Sequence, residues 1–173
     1  MIKFNKKFAL AIGLIIVAIC SRFVTHIPNL TPVMAIALFS GTVFSNKRLA
    51  FALPLTAMFI SDLFIGLHPA LFAVYSSLAI AVIIGFYLKR NLKASSLLIS
   101  SLAGSIIFFI ITNLASFFID PVYLPHSFAS LVRCYTMALP FFRNELAGSL
   151  LYNFVIFGAY KLAESRLPVL ARK

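Results

Sequence analysis

The chain has 173 residues, of which 62% are apolar and 11% charged, with 15 Lys and Arg against 4 Asp and Glu. Too few polar side chains remain to cover a soluble surface of this size, which excludes a soluble globular domain and implies a protein surrounded by lipid. The basic excess lies in short clusters between apolar runs, as the positive-inside bias arranges it, so we discount nucleic acid as its cause.

A spanning helix takes about 20 mostly apolar residues, so the length accommodates about six spans and no large soluble domain. The sequence therefore predicts an all-α integral membrane protein, one transmembrane domain over 1–173 built as a six-helix bundle.

The first span is expected at about 8–24. It follows Lys3, Lys6 and Lys7 like a signal peptide, yet Ser21 and Arg22 lead into further hydrophobic sequence with no small-residue cleavage site, and it reads as a retained helix. His26, Pro28, Asn29, Thr31 and Pro32 then form an irregular outer loop. The second apolar run, 33–44, is too short for a straight crossing and is either a thin, tilted helix or one broken near the outer face. Ser45, Asn46, Lys47 and Arg48 mark a return to the cytoplasm, and a third span over 49–67 carries Pro54 and Asp62. His68 and Pro69 make the outer turn into a fourth span, 70–88, which ends at Lys89, Arg90 and Lys93. The fifth runs over 95–119.

Between Asp120 and Phe142, three prolines (Pro121, Pro125 and Pro140) bracket an apolar segment carrying Arg133. It is expected as an outer interfacial helix over about 126–142, because a crossing there would leave Lys161, Arg166, Arg172 and Lys173 outside. A last span over 145–163 returns the chain, giving six crossings with both termini cytoplasmic.

This orientation leaves a mixed set of groups on the outer half that the charge bias does not explain: Arg22, Arg133 and Arg143 with Asp62, Asp120 and Glu145, and all three histidines, His26, His68 and His126. Asp62 is the sharpest. Thirteen residues beyond Leu49 it stands roughly 20 Å up a layer about 30 Å thick. A carboxylate facing lipid there costs about 2.5–3.5 kcal/mol, so it should face the bundle and meet a donor, for which Arg22, Arg143 and His68 are candidates.

Asn113, Ser116 and Asp120 share one face of the fifth span, and Glu145, Ser149 and Asn153 one face of the sixth. Such stripes resemble the wall of an outward cavity, with Tyr75, Tyr123 and Tyr135 available as flat surfaces bearing a hydroxyl. The candidate ligand-binding set is Arg22, Asn29, Asp62, His68, Asn113, Arg143, Asn144, Glu145 and Asn153. The alternative for these groups, Asn113 and Asn153 above all, is hydrogen-bonded glue between helices.

No Cys/His spacing fits a metal and no Gly-rich loop fits a phosphate, so neither metal nor cofactor is expected. Cys20 and Cys134 read as packing residues that leave one bridge possible. Small residues recur four apart at Ala9 and Gly13, and at Ser96, Ser100 and Gly104, either packing within the bundle or offering a face to a second membrane subunit.

The stretches PNLTPVMAIALFSG (Pro28 to Gly41), LPLTAMFISDLFIGLH (Leu53 to His68) and PFFRNELAGSLLYNFVIFG (Pro140 to Gly158) resemble an uncharacterised family of small bacterial inner-membrane proteins. More remotely, six spans in so short a chain, a short second helix after a Pro-containing outer loop, and an Asp late in the third span resemble the S components of energy-coupling-factor transporters. That resemblance implies capture of a vitamin or related micronutrient from outside and docking on a shared energising module, with Ala9 and Gly13 nearest to the docking face of the first helix.

Three functions follow as expectations. The first is a substrate-capture subunit for a small polar or zwitterionic molecule, with Arg22 and Arg143 on anionic groups, Asp62 and Glu145 on cationic ones, and Asn29, Asn113 and Asn153 orienting it; lacking an ATP-binding motif, it would take energy from a transmembrane partner with associated ATPases or from an ion gradient. The second is a small intramembrane enzyme using an Asp and a nearby His on a membrane-soluble substrate. The third is a structural or assembly protein of the membrane.

Overall fold

A computed structural model of the chain describes residues 6–24, 27–67 and 69–166, the side chains of residues 6, 7 and 21–24 excepted. Six α-helices make up the described chain: α1 (Lys6–Val24), α2 (Val33–Val43), α3 (Lys47–Ile65), α4 (Leu71–Leu88), α5 (Ala94–Ile119) and α6 (Phe128–Arg166), with one 3-10 turn at Pro121–Tyr123 before α6. There is no strand among the described residues. Four helices, α3 to α6, are long and apolar enough to cross a membrane, while Phe8–Cys20 and α2 are shorter apolar helices. Large apolar side chains stand exposed along them, among them Phe72, Phe64 and Phe128, a surface suited to lipid.

Local chemistry sets several boundaries. The Asn46 side chain accepts the Leu49 N–H at 3.3 Å, occupying an orphan donor of the first turn of α3. At the other end Gly66 adopts φ 121°, a region that favours glycine, and its N–H bonds the Asp62 carbonyl at 2.8 Å. Asp120 opens the 3-10 turn, its carboxylate accepting the Val122 N–H at 3.0 Å.

The short second helix is the centre of the molecule. Met34 through Thr42 are buried, and α2 packs against every other α-helix. It is an unbroken helix, enclosed by the rest of the bundle. Its closest neighbour is α4, met at a pair of glycines: a Cβ on Gly85 would lie 2.5 Å from the Leu38 carbonyl oxygen and 2.9 Å from Gly41 Cα. Thr42, beside this crossing, donates its hydroxyl to Leu38 O at 2.8 Å and lies 3.2 Å from Gly85 O. Close backbone approach through small residues is how helices associate where no hydrophobic effect separates them from solvent.

α6 departs from expectation. Instead of an interfacial segment followed by a separate span, one helix of 39 residues runs through Pro140 and across 143–144 without a break. Pro140 is exposed, on the outside of the bundle, where its missing N–H is tolerated in a long apolar helix. At 1.5 Å per residue the helix is about 58 Å long, more than the roughly 30 Å hydrocarbon layer takes.

Candidate functional site

The feature with chemical capacity is a cavity of about 390 Å³ between the start of α2, the middle of α3, the first half of α4, the second half of α5 and the segment 138–145 of α6. That is within the range of small-molecule pockets. All of these segments lie toward the end of the bundle away from Lys47, Arg48, Lys89, Arg90 and Lys93.

Among the described residues, Glu145 is the one charged residue lining it. The residue is only 7% exposed, and neither carboxylate oxygen has a hydrogen-bond partner among the described residues. Ser105 of α5 lies beside it without reaching hydrogen-bond geometry, and its own hydroxyl is likewise buried and unpartnered. An unpaired buried carboxylate is costly in a protein interior, the more so in a membrane.

The loop before α2 is fastened to α6 on either side of Glu145. Asn144 donates to the Pro28 carbonyl at 3.1 Å, and Gly148 lets the backbone of Leu30 and Thr31 come so near that a Cβ there would stand 3.0 Å from Thr31 N. Asn29, at the left-handed φ of 62° that Asn tolerates, turns this loop and lines the cavity with Thr31. Asn144, Glu145 and Gly148 thus act together: two hold the loop, and the third is held beneath it.

On the α5 wall, Thr112 donates its hydroxyl to Phe108 O at 2.7 Å, Ser116 to Thr112 O at 3.0 Å, and Asn113 its amide to Phe109 O at 2.7 Å. The helix takes up the hydroxyl protons of Thr112 and Ser116 and one of the two Asn113 amide protons, which leaves their oxygens as acceptors. The apolar wall comes from Phe108, Phe109, Phe141 and Phe142 with Met34 and Met58. Phe109 is held by ring contacts to Phe142 (centroids 4.8 Å) and to Tyr135 (5.5 Å), and the Tyr135 hydroxyl donates to Ile110 O at 2.8 Å.

Of the nine candidate residues, Asn29, Asn113 and Glu145 line the cavity, and Asn144 supports it. Asp62 does not line it. It is 1% exposed and accepts a hydrogen bond from the Tyr75 hydroxyl of α4 at 3.0 Å, so Tyr75 anchors a carboxylate instead of offering a stacking face. Arg143 is exposed, off the cavity, and does not pair with Asp62, because two positions along a helix lie about 200° apart, so the turn of α6 that buries Glu145 points Arg143 to another face. Asn153 is buried below the cavity, donating to Ser101 Oγ at 2.8 Å across the α5–α6 seam, with its carbonyl oxygen unpartnered. For Asn153 the structural role expected as the alternative is the observed one. His68 and the side chain of Arg22 lie outside the described residues, as does His26.

Ala9 and Gly13 are exposed, and nothing stands within 4 Å of where a Gly13 Cβ would be, so this face does not pack against the described residues. On α5 the buried small residues are Ser101, Gly104 and Ser105, with Gly104 against Met34. Both cysteines are free, Cys20 exposed and Cys134 buried. No group of three His, Cys, Asp or Glu that could hold a metal ion occurs among the described residues.

The residues that reading the sequence missed are the four phenylalanines of the wall, which nothing distinguishes among the 19 in the chain. Thr112 and Thr31 were equally silent.

No curated protein matches this chain, and no solved structure does. The likeness to S components therefore gains no support from comparison, whereas the likeness to an uncharacterised family does. The model of a family of unknown function, DUF6580, matches residues 2–170, nearly the whole length, and the chain belongs to that family.

Proposed function

We propose that this chain is a multi-pass protein of the bacterial inner membrane that captures a small polar molecule in the cavity around Glu145. It serves as a substrate-binding subunit for uptake, in the manner of an S component. The observation that carries the reading is the cavity itself: about 390 Å³, lined by a buried carboxylate that nothing in the described chain pairs. A purely structural polar cluster satisfies itself, as Asn153 and Ser101 do in part; Glu145 does not.

Six crossings with both termini in the cytoplasm put Lys47, Arg48, Lys89, Arg90 and Lys93 inside and the cavity in the outer half, where a substrate arriving from outside would enter. The exposed face of α1 around Ala9 and Gly13 suits close approach of a second membrane helix, which supports docking on a transmembrane coupling subunit with associated ATPases.

Affinity purification in mild detergent, with mass spectrometry of co-eluting proteins and extracted small molecules, tests this reading. A small molecule carried by the wild type and depleted when Ala138→Phe fills the cavity, together with a partner bearing an ATPase, is the expected result. Turnover of a membrane-soluble compound by the purified chain alone would favour the enzyme instead. If nothing co-elutes and the variant differs only in thermal stability, the cluster is structural.

A further inference from the structure

We propose that the occupant of this cavity is an organic cation, an amine protonated at one end and apolar at the other, with its ammonium group on Glu145. The inference rests on the capture reading above and names the class of substrate.

The argument is one of donors and acceptors. Glu145 offers the cavity two buried oxygens that nothing in the described chain partners. Thr112, Ser116 and Asn113 have each committed a donor to an α5 carbonyl, leaving oxygen toward the cavity. Among the described residues no Lys, Arg or His lines it; the second N–H of the Asn113 amide, and Asn29 and Thr31 on the loop, are the remaining groups able to donate. A wall so rich in acceptors is complemented by a ligand that brings donors, and a buried carboxylate is complemented best by one that also brings positive charge.

An anionic or zwitterionic ligand fits poorly. Its carboxylate or phosphate would meet Glu145, and among the described residues no Arg offsets it, since Arg143 stands outside the cavity.

A bare metal ion fits poorly as well. A hard divalent cation draws on six to eight oxygens, usually with several carboxylates, and this cavity has one. Its other walls are four phenylalanines and two methionines, a lining that matches a hydrocarbon body. The faces of Phe108, Phe109, Phe141 and Phe142 also favour a cation over a neutral group of the same shape.

Three probes alike in size and differing in charge test the inference on the intact protein in detergent: phenethylammonium, 2-phenylethanol and 3-phenylpropanoate. Binding is read by calorimetry and by the thermal midpoint, with wild type and Glu145→Gln, which keeps the shape and removes the charge. Phenethylammonium should bind and stabilise the wild type where the other two do not. Its affinity should fall about ten- to hundredfold in Glu145→Gln, the loss expected for one hydrogen bond to a charged group.

Equal or better binding of the alcohol or the carboxylate would overturn the cation while leaving a small-molecule cavity in place. Stabilisation by sodium or calcium chloride but not by the ammonium would overturn the organic part. Binding of none of the three overturns the inference too, and the capture reading then stands or falls separately on what co-purifies with the wild type.

Discussion

Gly41 and Gly85 meet where α2 crosses α4, so near that a Cβ built on either one would come within 3.0 Å of the other's Cα. The obstruction is backbone on both sides, which cannot rotate away as a side chain can. Gly85→Ala should therefore lower stability by about 1–3 kcal/mol or more, despite alanine's better helix propensity. Gly13→Ala is the matched control, since open space surrounds that position, and it should be neutral or slightly stabilising. Thermal melts of both variants in one detergent check the contrast.

Glu145 and its cavity predict opposite signs for stability and binding. In ligand-free protein Glu145→Gln removes an unpaired buried charge, and stability should rise by about 1–3 kcal/mol. In the presence of a cationic ligand the order should reverse. A variant less stable than wild type in both states would mean that the carboxylate has a structural partner.

Tyr75 donates to Asp62 in a nearly water-free setting. Tyr75→Phe deletes that donor while keeping the ring, and a hydrogen bond to a charged group is worth about 1.5–3 kcal/mol. The variant should melt lower by a corresponding amount yet bind the cavity's ligand with wild-type affinity, because neither Asp62 nor Tyr75 lines the cavity. Loss of binding at unchanged stability would contradict this division of labour.

Asn153 and Ser101 supply a milder test of the α5–α6 seam. Hydrogen bonds between membrane helices average about 0.6 kcal/mol, so Ser101→Ala should cost about 1 kcal/mol or less. A double-mutant cycle with Asn153→Leu isolates the pair. A coupling several times larger would point to a wider polar network through Ser105 and Ser149.

Much of the architecture was legible because hydrophobic runs and basic clusters are set by the lipid environment and read directly from composition. The α6 stripe was legible for the same kind of reason. Glu145, Ser149 and Asn153 recur at helical spacing, and all three are buried on one face. One donor to Asp62 was not legible: charge complementarity pointed to Arg22, Arg143 and His68, of which Arg143 does not meet it and the other two lie outside the described residues, whereas a neutral phenol on the next helix donates to it, and spacing along one helix says nothing about its neighbours. Pro140 misled for a local reason. Proline breaks helices where water competes for the freed carbonyl, and it is tolerated where lipid leaves the backbone no better alternative than the helix.

The burial of α2 bears on how the protein is made. Eleven residues extend about 16 Å, roughly half the hydrocarbon thickness, so this segment alone would leave polar chain ends within the oily layer. With protein on every side it never faces that difficulty in the finished molecule, and its sheath includes α5 and α6, which are translated after it. The heart of the bundle is thus synthesised early and settled late. During translation α2 has to be sheltered, by the insertion machinery or by the helices that arrive after it, until the chain that will enclose it exists.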